Sequence, residues 1–173
     1  MKRIATAFAL VGMFIFQACE GPEGPQGPPG LDGDYIVGTT YEVDDATFDA
    51  AGNYEVAYDL PAPLVDSDVL LIYRLTGVDQ GKDVWTILPQ TVYFNEGILN
   101  YGFDYTLDDF LLFLDGTIDF NLIGGEWTDN QIFRIVAVPS DFPAGRIDYS
   151  DYEGVTNLLG IEDEDFIKLR PKK

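Results

Sequence analysis

The sequence predicts an all-β domain: an antiparallel β-sandwich of about eight or nine strands with one short C-terminal helix, preceded by a tether of Gly-X-Y triplets. Three observations predict it. Apolar and polar residues alternate with a period of two in several short segments, turn-forming residues punctuate the intervals, and helical periodicity appears only near the C-terminus. At 173 residues the chain suits one modest domain.

The alternation is clearest in three segments. Tyr54, Val56, Tyr58 and Leu60 alternate with Glu55, Ala57 and Asp59; Leu99, Tyr101, Phe103 and Tyr105 alternate with Asn100, Gly102 and Asp104; Ile118, Phe120 and Leu122 alternate with Asp119 and Asn121. Each reads as a strand with one face buried. Val69 to Leu75 and Ile132 to Val138 are instead near-continuous apolar runs, each carrying one arginine (Arg74, Arg134), and read as central strands of a packed sheet. The two arginines are expected to pair with carboxylates at the sheet rim. Tyr35 to Val43, the residues around Thr47 and Phe48, and Val84 to Phe94 complete the strands.

Turn signals fall at Ala51-Gly52-Asn53, Asn95-Glu96-Gly97, Asp115-Gly116 and Gly124-Gly125, of which Asp115-Gly116 is the best two-residue hairpin candidate. Pro61, Pro63 and Pro89 mark bends or edges, because proline cannot donate to a ladder. Near the C-terminus, Ser150 and Glu153 form a capping-box pair, Tyr152, Val155 and Leu159 share one helical face, and Gly160 can close the helix in a left-handed conformation. An acidic run, Glu162 to Asp165, precedes a polar tail rich in bases, Lys168 to Lys173, with Phe166, Ile167 and Leu169 as docking points.

The first 33 residues follow different rules. Met1, Lys2 and Arg3 form a basic head, and Ile4 to Phe16 is a mostly apolar stretch of 13 residues, short for a bilayer-spanning helix and suited to a signal peptide. It ends in Phe16-Gln17-Ala18-Cys19, which resembles the lipobox of bacterial lipoproteins, with Phe16 where Leu is usual and Gln17 where Ser or Ala is usual. The resemblance implies cleavage after Ala18 and lipidation of Cys19, the chain's one cysteine. Several acyl chains would anchor it stably, since each buried methylene contributes about 0.8 kcal/mol.

Glycine then recurs at every third place, Gly21, Gly24, Gly27, Gly30 and Gly33, with four prolines between. This is the collagen pattern, in which only glycine fits the crowded axis of three polyproline-II chains. As a single polyproline-II spacer it would reach about 40 Å at about 3.1 Å per residue. The alternative is a homotrimer formed through Gly21 to Gly33, with the anchors concentrating the chains. The expected organisation is a signal peptide over 1–18, a lipidated cysteine and collagen-like tether over 19–33, a β-sandwich over 34–148, and a short helix with a charged tail over 149–173.

Composition excludes much chemistry. With no histidine and one cysteine, the chain cannot build Ser-His-Asp or Cys-His catalysis, His-ligated zinc or an internal disulfide. Removing residues 1–18, which carry Lys2 and Arg3 and no acid, takes the formal net charge from -20 to -22. Such a surface repels phosphate backbones, so no nucleic-acid partner is expected, and cations are favoured. Aromatic and aliphatic residues interleave with the acids, so a core can form.

Cys19 followed at once by Gly-X-Y triplets, the segment Lys82 to Thr91, the stretch Phe103-Asp104-Tyr105-Thr106 and the segment Phe133 to Pro139 resemble the collagen-like lipoproteins of the Bacteroidota cell envelope. The resemblance implies export, lipid anchoring in the envelope, most naturally at the outer membrane, a β fold and no enzymatic activity. It carries no catalytic residues with it.

Two sets of site residues stand out from the remaining sequence. Asp104, Asp108, Asp109, Asp115 and Asp119 could supply oxygen ligands for Ca2+, although no EF-hand spacing is present; a solvated acidic edge is the plainer reading. Trp85 and Trp127 could form an aromatic platform for sugars; aromatics at strand positions otherwise belong to the core. The expected function is therefore a lipid-anchored structural or interaction module without catalysis or cofactor, the alternative being a carbohydrate- or calcium-binding surface module.

Overall fold

The computed structural model describes residues 39–140 and 148–172; Cys19 and the triplets from Gly21 to Gly33 lie outside them. Among the described residues nine strands form two sheets. The first has the order β4-β3-β8-β1-β9, from β1 (Thr40–Ala46), β3 (Val69–Asp79), β4 (Lys82–Ile87), β8 (Gln131–Val138) and β9 (Ile167–Lys168). The second has the order β2-β7-β6-β5, from β2 (Glu55–Asp59), β5 (Gln90–Phe94), β6 (Gly97–Tyr105) and β7 (Asp109–Gly116). All pairs are antiparallel except β1 with β9. The fold is an all-β sandwich.

The alternating segments explain the inner layer. Tyr41 and Val43 of β1, Leu70 and Ile72 of β3, and Phe133 and Ile135 of β8 meet Tyr58, Leu99, Tyr101, Phe110 and Leu112 of the second sheet. The core is held by aromatic pairs as well as by area: Phe48 sits edge-on to Tyr101 and Phe133, and Tyr58 stacks on Phe110.

The near-continuous runs of β3 and β8 have a second reason. Their other face carries Leu71, Tyr73, Val136 and Val138, which pack beneath Val155, Leu159 and Ile161. A one-turn helix α1 (Gly125–Thr128) precedes β8, and the covering helix is α2 (Tyr152–Leu159). The order is therefore helix, sheet, sheet. Helix α2 ends as expected at Gly160, at φ 64°. Its N-cap is Asp151, whose carboxylate accepts from the Gly154 N–H, while Ser150 donates to Asp148. Asp one residue later captures the free N–H group, which displaces the Ser150 cap.

Four other expectations change. Val84 to Phe94 is two strands in different sheets, joined across Leu88-Pro89. Ile118 to Leu122 is not a strand: the Asp119 carboxylate accepts from the Asn121 backbone and side-chain N–H groups, and a 3-10 turn runs over Phe120–Leu122. Thr47 and Phe48 lie beyond β1, with Phe48 plugging the core. Asp115-Gly116 ends β7 instead of turning the chain, and Gly116, at φ 152°, lies where any Cβ would strike the Ile98 carbonyl. Two-residue hairpins stand instead at Gln80-Gly81, both at positive φ, between β3 and β4, and at Asn95-Glu96, between the paired Phe94 and Gly97 of β5 and β6. Strand β7 was hidden because Phe110 to Leu114 is apolar without alternation, its outward Phe113 ring lying over Gly102.

The basic tail is a built-in strap. Residues Ile167 and Lys168 pair with β1, the Leu169 N–H donates to the Glu42 carbonyl, and the Lys172 N–H donates to the Ala57 carbonyl of β2. It thereby joins the open edges of both sheets. Lys168 pairs with Asp44 at 2.7 Å, and Lys172 with Asp59 at 2.6 Å and Asp109 at 3.1 Å. Leu169 inserts into the core at 6% exposure.

Leu169→Ala is expected to lower unfolding free energy by about 2 to 4 kcal/mol, measured by urea denaturation. Arg170→Ala, whose exposed guanidinium stands 3.7 Å from Asp45, should change it by less than about 0.5 kcal/mol. Equal small effects would mean that the strap does not close the sandwich.

A pH effect follows from the buried tyrosines. Burial raises the hydroxyls of Tyr41, Tyr58, Tyr73 and Tyr101, the last to about 12. Their unfolded counterparts ionise near 10. The unfolded chain thus binds fewer protons above that pH, so stability should be intact below pH 10 and fall between pH 10 and about 12. Urea midpoints at pH 8, 10 and 11 check this, and a flat series contradicts it.

Candidate functional site

The two arginines lie on opposite faces of the first sheet, because the register sets Arg74 opposite Phe133 and Tyr73 opposite Arg134, and successive residues of a strand point to opposite faces. Arg134 of β8 faces outward beneath α2. Its Nε donates to Glu42 Oε2 at 3.0 Å, and its Nη1 donates to Asp163 Oδ1 at 2.7 Å and to the Tyr152 hydroxyl at 2.6 Å. The guanidinium lies 4.6 Å from the Trp85 ring centre and 4.4 Å from that of Phe166. Burial disfavours its charge, but the bonds to Tyr152, Glu42 and Asp163 outweigh that and raise its pKa. Here the expected carboxylate pairing is present.

Arg74 of β3 departs from the expectation. It faces inward at 5% exposure, and among the described residues it has no carboxylate partner. Its Nε and Nη2 donate to Gln131 Oε1 at 2.9 and 2.6 Å, its Nη1 donates to Gln90 Oε1 at 3.2 Å, and its guanidinium stacks 4.1 Å from the Tyr101 ring centre. Gln131 is oriented for this role because its Nε2 donates to the carbonyls of Glu126 and Asp129. Two carboxamide oxygens and a ring face replace the rim carboxylate, and burial lowers the Arg74 pKa. The residue supports the core.

The tryptophans do not form one platform. Trp127, on α1, packs edge-on against Phe94 at 5.2 Å and belongs to the layer between the sheets; its carbonyl accepts from the Tyr101 hydroxyl at 2.6 Å. Trp85, on β4, faces outward and leans on Tyr152 at 5.4 Å. Beside it opens a cavity of about 580 Å3 between the tip of the β3–β4 hairpin and α2. Lys82 and Asp83 line it from the hairpin, Glu153 and Asn157 from the helix, and Trp85 and Tyr152 form its aromatic wall. A neighbouring hollow of about 330 Å3 shares Lys82, Asp83, Trp85, Tyr152 and Glu153.

The five aspartates proposed for Ca2+ are dispersed in role. Asp109 is held by Thr106 and Lys172, Asp119 caps the 3-10 turn, Asp104 stands opposite Leu111, Asp115 opposite Asn100, and Asp108 is exposed in the β6–β7 loop. Among the described residues no group of three or more acids is arranged to hold a metal ion. Among the described residues four carboxylates are held below their ordinary pKa: Asp44 through Lys168, Asp109 through Thr106 and Lys172, Asp119 through Asn121, and Asp148 through Ser150.

Sequence reasoning singled out Trp85 but missed its neighbours. Lys82, Asp83, Glu153 and Asn157 are ordinary surface residues in the chain, some 70 positions apart in two groups, and only the docking of α2 on the outer sheet face brings them together. The shared helical face of Tyr152, Val155 and Leu159 was the available signal. No family model, curated protein or solved structure matches the chain.

Arg134→Ala leaves Glu42, with a side chain 16% exposed, without its guanidinium and should cost about 2 to 4 kcal/mol in urea denaturation. Trp85 loses its packing partner, so native tryptophan emission should shift to the red. A loss below about 0.5 kcal/mol would show that Arg134 does not pin α2.

Proposed function

We propose that the protein is exported, lipidated at Cys19, and held off the envelope membrane by the Gly21 to Gly33 tether, where its β-sandwich acts as a non-catalytic interaction module. One observation carries the reading. The only cysteine stands at the end of a 13-residue apolar stretch and is followed, after Glu20, by five glycines in register before the folded domain starts. A lone thiol at that junction has an obvious use as a lipid attachment point, and a stiff spacer after it keeps an anionic domain clear of anionic headgroups. The outer membrane is the proposed destination.

The absence of histidine supports a non-catalytic module. A second reading, a ligand-binding module, is favoured by the cavity beside Trp85. Its carbohydrate form has an aromatic wall to draw on, whereas its calcium form would need the dispersed aspartates to converge.

Cys19→Ala is expected to abolish incorporation of a labelled fatty acid and to block cleavage after Ala18, so that residues 1–18 stay attached and the mass of the precursor is retained. Unchanged labelling and normal processing would overturn the lipid-anchor reading. Light scattering of residues 20–173, produced without the leader and Cys19, should give a monomer if the triplets act as a spacer, and a trimer if they associate.

A further inference from the structure

We infer that the cavity between the β3–β4 hairpin and α2 is a binding site for a short oligosaccharide that carries no negative charge. The inference rests on the interaction-module reading and names the ligand class. At about 580 Å3 the cavity falls within the range of about 300 to 1,000 Å3 usual for small-ligand sites. Its aromatic wall is rigid before any ligand arrives. Trp85 packs against Arg134 and Tyr152, and Tyr152 is held in turn by the hydrogen bond its hydroxyl accepts from Arg134 and by edge-on contact with Tyr73 at 5.1 Å. Preorganisation of this kind lowers the ordering cost of binding.

Facing that wall, two opposed elements present donors and acceptors. Lys82 and Asp83 come from the hairpin, Glu153 and Asn157 from the helix, and none of the four side chains has a hydrogen-bond or ion-pair partner among the described residues. A pyranose offers the matching chemistry: a C–H face for an aromatic ring, and vicinal hydroxyls for carboxylate and carboxamide side chains. The sign of the charge then selects among sugars. The lining holds three carboxylates, Asp83, Glu153 and Asp163, against two cations, Lys82 and Arg134, of which Arg134 is already paired with Asp163 and Glu42, and the domain as a whole is strongly anionic. Uronates and phosphorylated sugars are repelled, while neutral and amino sugars are admitted.

The test is titration calorimetry of the full-length chain in detergent with four trisaccharides or oligomers of similar length: glucose, N-acetylglucosamine, glucosamine and galacturonate, with trilysine as a fifth probe. Saturable binding of at least one neutral or amino oligosaccharide, at least tenfold tighter than galacturonate, is expected. Trp85→Ala should weaken it at least tenfold. Because that ring also packs under α2, the exposed substitutions Glu153→Gln and Asn157→Ala carry the test too, each weakening binding at least threefold with the melting temperature unchanged.

No saturable binding of any neutral or amino oligosaccharide overturns the inference, as do equal binding of galacturonate, binding indifferent to all three substitutions, or trilysine binding as tightly as the sugars. The recovered oligosaccharide is analysed by chromatography: intact sugar supports a binding module, and cleaved sugar overturns the non-catalytic reading while the site itself stands. Failure of membrane attachment through Cys19 is read separately and leaves the site intact.

Discussion

Strands β3 and β8 are apolar on both faces, and both faces must be covered. That requirement sets the architecture. One face of the pair meets the second sheet through Leu70, Ile72, Phe133 and Ile135; the other, through Leu71, Tyr73, Val136 and Val138, draws in helix α2. A two-layer sandwich would leave the second set in water, where each large side chain forgoes roughly 1.5 to 3 kcal/mol of burial. The helix is therefore a third layer that completes the core, and the cavity at its edge exists because the helix docks there.

The same strand geometry gives the two arginines different solutions to one problem. Arg134 lies on the helix side and gathers Glu42, Asp163 and three aromatic rings around it, which fastens the helix and the 163–165 turn to the sheet. Arg74 lies on the inner side, where it stacks on Tyr101 and takes carboxamide oxygens from Gln131 and Gln90. A buried cation is costly without compensation, and both are compensated, one by charge and one by oriented dipoles. At the opposite edge the basic strap offsets part of the acidic excess along Asp44, Asp59 and Asp109, although these exposed pairs add less to stability than the buried Leu169 does.

The legibility of the site was uneven. Trp85 could be singled out because a large aromatic in a strand is conspicuous, but its neighbours at positions 153 and 157 are polar residues on a helix and carry no local mark. Arg74 looked like a rim residue because the sequence shows an apolar strand with one charge and cannot show that Gln131 is aimed at it by two backbone carbonyls. The aspartates between 104 and 119 were conspicuous as a group in sequence, yet strand, loop and turn divide them. Sequence proximity brings residues together only when they share an element face.

By itself the sequence determined the all-β class, the alternation that separates core from solvent, and the helix with its glycine stop. These are local properties, set by side-chain period, turn chemistry and capping within a few residues. Only the tertiary structure decided which sheet each strand joins, that Val84 to Phe94 splits between sheets, that the basic tail sews two edges together, and that Trp85 faces a helix across a cavity. Those outcomes depend on contacts between residues tens of positions apart, whose free energy appears only when the surfaces meet.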